Sequence, residues 1–122
     1  MIDHVGVAVT DYARSKEFYV KALAPLGFEL VMEFDGRVGG FARDERPWFW
    51  IHEGEPGSGT HVAFTAPDTA TVDAFHAAGL EAGGKDNGPP GERPHYHPGY
   101  YAAYIHDPDG TNVEAVFHGA ES

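Results

Sequence analysis

The sequence predicts an α+β fold, a single domain over residues 1–122. Two βαβββ modules, about 1–54 and 59–119, form a concave mixed sheet. Three observations predict it. The halves align at a constant offset of 57 residues: His4-Val5 with His61-Val62, Val7 with Phe64, Asp11 with Asp68, Phe18 with Phe75. Each half opens on a strand in which bulky and small residues alternate. Each half then shifts from a period of 2 to helical spacing. An offset held across strand, cap and helix marks a duplicated unit. Solenoid repeats are shorter and more numerous, so a pair fits better than an array.

The elements follow in order. Residues 2–9 read as a strand with Val5, Val7 and Val9 on one face and His4, Gly6 and Ala8 on the other. Asp11 is the N-cap of a helix whose Phe18, Tyr19, Ala22, Leu23 and Leu26 recur at helical spacing. Pro25 and Gly27 end it. Strands are expected at 28–34, 37–43 and 47–53, with Asp35-Gly36 as a hairpin turn. The second half restarts at 60–66. Pro67 and Asp68 open a helix carrying Val72, Phe75 and Ala78, and Gly79 closes it. A weak strand is expected near 80–82, then a Gly- and Pro-rich stretch over 83–99. Strands at 100–106 and 111–117 finish the chain around Asp107-Pro108-Asp109-Gly110.

Composition narrows the function classes. A chain of 122 residues without cysteine has no disulfide, zinc–thiolate or thiol chemistry. Eight Lys plus Arg against 19 Asp plus Glu give a net charge of −11, which repels nucleic acid. No secretory signal or membrane-length apolar run is visible, so the expectation is a cytoplasmic protein without membrane partners. No phosphate-binding glycine loop or Ser-His-Asp signature is present.

The alternation locates a candidate site. Behind His4 stand Gly6 and Ala8; behind His61 stand Ala63 and Thr65. Small residues behind a histidine leave room for a ligand. In the last strand Val113, Ala115 and Phe117 share the packing face, so Glu114 shares the open face with Asn112 and Val116. Two imidazoles and a carboxylate form a facial triad suited to a divalent metal with positions open for substrate. The bland alternatives are hydrogen-bonded core histidines and a surface carboxylate.

These residues carry a family resemblance. Ile2-Asp3-His4-Val5-Gly6-Val7-Ala8-Val9 with Ser15, Phe18 and Tyr19 resembles the first module of vicinal-oxygen-chelate proteins, the glyoxalase, bleomycin-resistance and extradiol-dioxygenase superfamily. His61-Val62-Ala63-Phe64 resembles the start of the second module, and Asp107-Pro108-Asp109-Gly110-Thr111-Asn112-Val113-Glu114 resembles its final hairpin. The resemblance implies one divalent ion (Fe, Mn, Zn or Ni) held by His4, His61 and Glu114, a small-molecule substrate chelated through its oxygens, and a homodimer. It also implies a fourth ligand position at about Trp50, with His52 next along that face. Glyoxalase I has a glutamate there, so this chain is not expected to be glyoxalase I. Ring-cleaving oxygenation, isomerisation or lyase chemistry, and transfer to an epoxide all remain open. A non-catalytic bleomycin-resistance-type binder and a purely structural dimer are the rivals.

The run Arg93-Pro94-His95-Tyr96-His97-Pro98-Gly99-Tyr100-Tyr101 is the second unusual feature. Such loops commonly carry specificity. His97 and Tyr101 are candidate proton-transfer groups, and Trp50, His52, His95 and Tyr100 are candidate substrate contacts. A regular 107–110 turn would set Ala103 opposite Glu114 and Tyr101 opposite Val116, both facing the concavity; a bulge would reverse this. The alternative is an exposed loop with a surface His-x-His pair.

Overall fold

The computed structural model describes residues 2–44 and 46–119. The first module runs β1 (Val5–Val9), α1 (Tyr12–Leu23), a 3-10 turn (Ala24–Leu26), β2 (Glu29–Phe34), β3 (Val38–Ala42) and β4 (Pro47–Glu53). The second runs β5 (His61–Thr65), α2 (Thr69–Glu81), β6 (Lys85–Glu92), β7 (Tyr100–His106) and β8 (Asn112–His118). The sheet orders are β1-β4-β3-β2 and β5-β8-β7-β6, so each module returns its last strand parallel to its first.

The duplication holds atom by atom at the helix starts. Asp11 Oδ1 accepts from Arg14 N at 3.2 Å, and Asp68 Oδ1 accepts from Thr71 N at 2.8 Å. Each carboxylate satisfies an N–H that has no partner within its helix. Phe18 and Phe75, one position in two copies, are both fully buried. Asp35 and Gly36 take φ of 55° and 63° in a three-residue hairpin loop (35–37), which Arg37 N closes by donating to Phe34 O at 3.0 Å.

The eight strands do not close into one sheet; they form two four-stranded sheets. Their inner faces share one core. Val7, Val9, Phe49 and Ile51 of the first sheet pack with Phe64, Ile105, Val113 and Ala115 of the second, around Phe18, Tyr19, Val72 and Phe75. Phe64 meets both Phe49 and Phe28 edge to face, with centroids 5.1 and 5.2 Å away. A register shift next to Trp48 turns that ring toward Phe28 and Phe64, so Trp48 packs against the core. Each sheet's other face is turned away from this core.

Two expectations are corrected. Residues 80–82 are not a strand, because α2 continues to Glu81. Gly79 lies inside the helix, where an added Cβ would meet Ile105 at 3.2 Å; Gly83, at φ 100°, makes the exit. The strand lies instead in the Gly- and Pro-rich stretch, as β6. Pro89 and Pro90 are tolerated there because β6 is an edge strand. No helix is long and apolar enough to cross a membrane among the described residues.

Candidate functional site

The open face of the second sheet centres on Glu114. Its partners across the ladder are Ala63 on β5 and Tyr104 on β7. The carboxyl group is 1% exposed, and a buried carboxylate needs partners. It has two. Oε1 lies 2.8 Å from His61 Nε2, and Oε2 accepts the Tyr100 hydroxyl at 2.5 Å. Burial, then the bond to Glu114, pushes the Tyr100 phenol well above its usual range. Burial, then the Glu114 charge, pushes Tyr104 up to about 12. Both phenols therefore keep their protons at neutral pH.

An aromatic ladder rises from Tyr100. Tyr96 lies 4.8 Å from Tyr100, and His95 lies 4.3 Å from Tyr96, centroid to centroid. The Arg93 guanidinium lies over the Tyr104 ring at 5.3 Å. Glycines in β6 make this possible: a Cβ on Gly88 would meet Tyr104 at 2.8 Å, and one on Gly91 would meet Arg93 at 3.2 Å.

The first sheet's open face carries a groove of about 580 Å³ lined by His4, Trp50, His52, Met32, Val38 and Arg46, among others. Strand register identifies Trp50 as the counterpart of Glu114: Gly6 pairs with Trp50 as Ala63 pairs with Glu114. The Trp50 ring lies on β3 where Gly40 has no side chain; a Cβ there would meet it at 2.7 Å. Phe34 stacks on the ring at 6.3 Å and 16°. His52 sits beside Gly6, and the exposed His4 bonds to Asp3 at 2.8 Å.

His61 and Glu114 thus meet, and Tyr100 joins them. His4 does not. Among the described residues no three His, Asp or Glu side chains gather so as to hold a metal ion within the chain. The separation follows from the two sheets: His4 lies on one open face and the His61–Glu114 pair on the other.

Tyr101 is also corrected. It pairs with Phe117, and its hydroxyl donates to Asp73 of α2 at 2.7 Å, so it lies on the packing face. The hairpin loop has one residue more than a regular four-residue turn. Asp107 Oδ1 accepts from Asp109 N and Thr111 N, Gly110 takes φ 89°, and the pairing closes at His106 and Asn112. One extra residue flips the strand's phase, so Tyr100 and Tyr104 face the site instead. His97 makes no bond to Glu114; it pairs with His118 at 3.1 Å, its ring edge-on to Tyr100.

Comparison with known proteins agrees with this architecture. The family model of the Glyoxalase/Bleomycin resistance protein/Dioxygenase superfamily matches residues 1–115. The chain belongs to that superfamily. A glyoxalase/bleomycin resistance protein from Albidiferax ferrireducens is 34% identical, with 96% of this chain and 98% of that one aligned at a TM-score of 0.82. A glyoxalase/bleomycin resistance protein/dioxygenase family enzyme from Burkholderia phytofirmans is 16% identical, with 97% and 98% coverage and a TM-score of 0.76. A lactoylglutathione lyase from Agrobacterium tumefaciens is 20% identical, with 96% and 92% coverage and a TM-score of 0.69. These last two show the superfamily fold alone. No curated protein sequence matches the chain.

Sequence reasoning missed two residues on this open face, Tyr104 and His118. Tyr104 was hidden by the extra loop residue. His118 lies at the strand end, where only tertiary packing brings the 93–99 loop against it.

Proposed function

We propose that this protein is a divalent-metal-dependent enzyme acting on a small oxygen-rich substrate, in a site completed by two copies of the chain. The observation that carries it is the buried Glu114 carboxylate set 2.8 Å from His61 Nε2. Once the proton between them leaves, an imidazole nitrogen and a carboxylate oxygen stand at the spacing of two ligands on one ion. His61 and Glu114 would hold it, with His4 of a second copy as third ligand. When bound, the ion supplies Lewis-acid stabilisation of an oxyanion on the substrate.

The chain's own groups do the rest. Tyr100 holds Glu114 in place through its hydroxyl, as outer partners of metal ligands do. Tyr104 keeps a proton to donate toward substrate oxygen. Tyr96, Tyr100 and His95 form one wall, and Trp50 and His52 of the second copy would form the other. The second copy is supported by apolar side chains on the first open face. Met32 and Phe34 are 46% and 51% exposed beside Trp50, a patch that suits a partner. Ring-cleaving oxygenation, isomerisation or lyase chemistry, and transfer remain within this proposal. Glyoxalase I chemistry does not, because Trp50 stands where the fourth carboxylate would be.

A second reading is a non-catalytic binding protein of the bleomycin-resistance type. Trp50 in a ligand position, facing an aromatic ladder, favours it. Elemental mass spectrometry of untagged protein decides between the two. Iron, manganese, zinc or nickel near one per chain, lost in His61→Ala, supports the enzyme. No metal after reconstitution with each ion leaves the binder.

A further inference from the structure

We propose a second, separate metal site at His97 and His118, for a divalent transition ion that favours imidazole, such as Zn²⁺, Ni²⁺ or Cu²⁺. The juxtaposition is built by the backbone. Gly99 and Gly119 press together so closely that a Cβ on either would come within 3.0 Å of the other's Cα. Gly119 N donates to Gly99 O at 2.6 Å. This contact pins the 93–99 loop to the end of β8 and brings His97 Nε2 to 3.1 Å from His118 Nδ1. Tyr100 supports both rings edge-on, with centroids 5.3 Å from each.

The chemistry of the pair suits a metal. His97 Nδ1–H donates to Pro98 O at 2.8 Å, so in the neutral ring Nε2 is the unprotonated nitrogen, and its lone pair accepts from His118 Nδ1–H. A backbone carbonyl in that role fixes the tautomer and orientation of metal-bound histidines. With metal–nitrogen bonds of about 2.05 Å, adjacent ligand nitrogens lie about 2.9 Å apart at a right angle and about 3.4 Å apart at a tetrahedral one. The observed spacing falls between them. The rings are within 19° of a common plane with centroids 5.2 Å apart, so the two nitrogens face each other along one line. Each ring must turn by about 40° for them to converge on an ion, exchanging the hydrogen bond between the rings for two metal–nitrogen bonds. The proton on His118 Nδ1 then moves to its Nε2, and water fills the remaining positions. A net charge of −11 draws cations toward the protein.

This site shares no ligand with His61 and Glu114, although Tyr100 packs against both its rings and donates to Glu114. Its test is isothermal titration of untagged protein with Zn²⁺ alone and Ni²⁺ alone. The variants are His97→Ala, His118→Ala, His95→Ala and Glu114→Gln. The expected result is one binding equivalent lost in both His97→Ala and His118→Ala and retained in His95→Ala and Glu114→Gln. Paramagnetic Ni²⁺ should broaden the His97 and His118 ring resonances together. Unchanged stoichiometry and affinity in His118→Ala overturns the proposal, as does loss of the same equivalent in His95→Ala. Failure of the proposed catalytic site would appear separately, as no equivalent lost in Glu114→Gln.

Discussion

The two open sheet faces descend from one duplicated unit and now differ in kind. Corresponding strand positions hold Trp50 in one module and Glu114 in the other. The first face is apolar and exposed, with Met32 and Phe34 beside Trp50. The second is polar and covered, its carboxylate shared between His61 and Tyr100. Packing constrains the inner faces equally, and both keep a buried Phe at the same helix position, Phe18 and Phe75. The outer faces are free of that constraint. One keeps a buried carboxylate paired with a histidine, while the other offers an exposed surface with His4 and His52. Duplication thus preserved the packing faces and left the open faces to diverge.

The largest expected effect comes from the polar face. Glu114→Ala should abolish metal binding, measured by elemental analysis, and leave the Tyr100 hydroxyl without its buried acceptor. The apolar face should break next. Phe34→Asp should convert a dimer to monomer by analytical ultracentrifugation and remove metal with it, while the fold by circular dichroism stays intact. Conversely, Trp50→Glu should supply a fourth ligand and tighten metal binding in a titration.

Stability effects are smaller. Gly40→Ala and Gly88→Ala each force a Cβ against an aromatic ring, Trp50 at 2.7 Å and Tyr104 at 2.8 Å. Overpacking of this kind typically costs about 1–3 kcal/mol. Gly88 should cost more in urea unfolding, because its φ of 152° also strains a side chain. The smallest effect is alkaline. An unfolded tyrosine ionises near pH 10, whereas folded Tyr104 keeps its proton until about 12. The folded state holds more protons in that window, so stability should fall as pH rises from about 10 toward 12. Tyr104→Phe should make the fall of the urea midpoint less steep.

Much of this was legible in the sequence, for physical reasons. Asp11 and Asp68 are read as caps because a carboxylate before a helical period has one common use. Glu114 is placed on the open face because strand alternation is strict. β6 was not legible. Glycine and proline carry no strand signal, and Gly88 and Gly91 are there to admit Tyr104 and Arg93. Tyr101 was misplaced by one loop residue, since Asp107 organises a longer turn than the Asp-Pro-Asp-Gly run suggests. Nor could alternation within strands reveal that the modules turn their open faces apart, because that depends on how two helices and two sheets share one core.

In the proposed site, His4 of one copy completes the His61–Glu114 pair of another. Subunit complementation tests it most directly. His4→Ala and Glu114→Ala proteins are each made metal-free, mixed, dissociated and reassembled, then assayed for bound metal. In a shared site, half the reassembled dimers pair the two variants, and each such dimer has one whole site of its two. Metal should return to about a quarter of the wild-type level, although neither variant binds alone. If the mixture stays as empty as its parents while wild-type protein binds after the same treatment, the site does not span two copies and this account is contradicted.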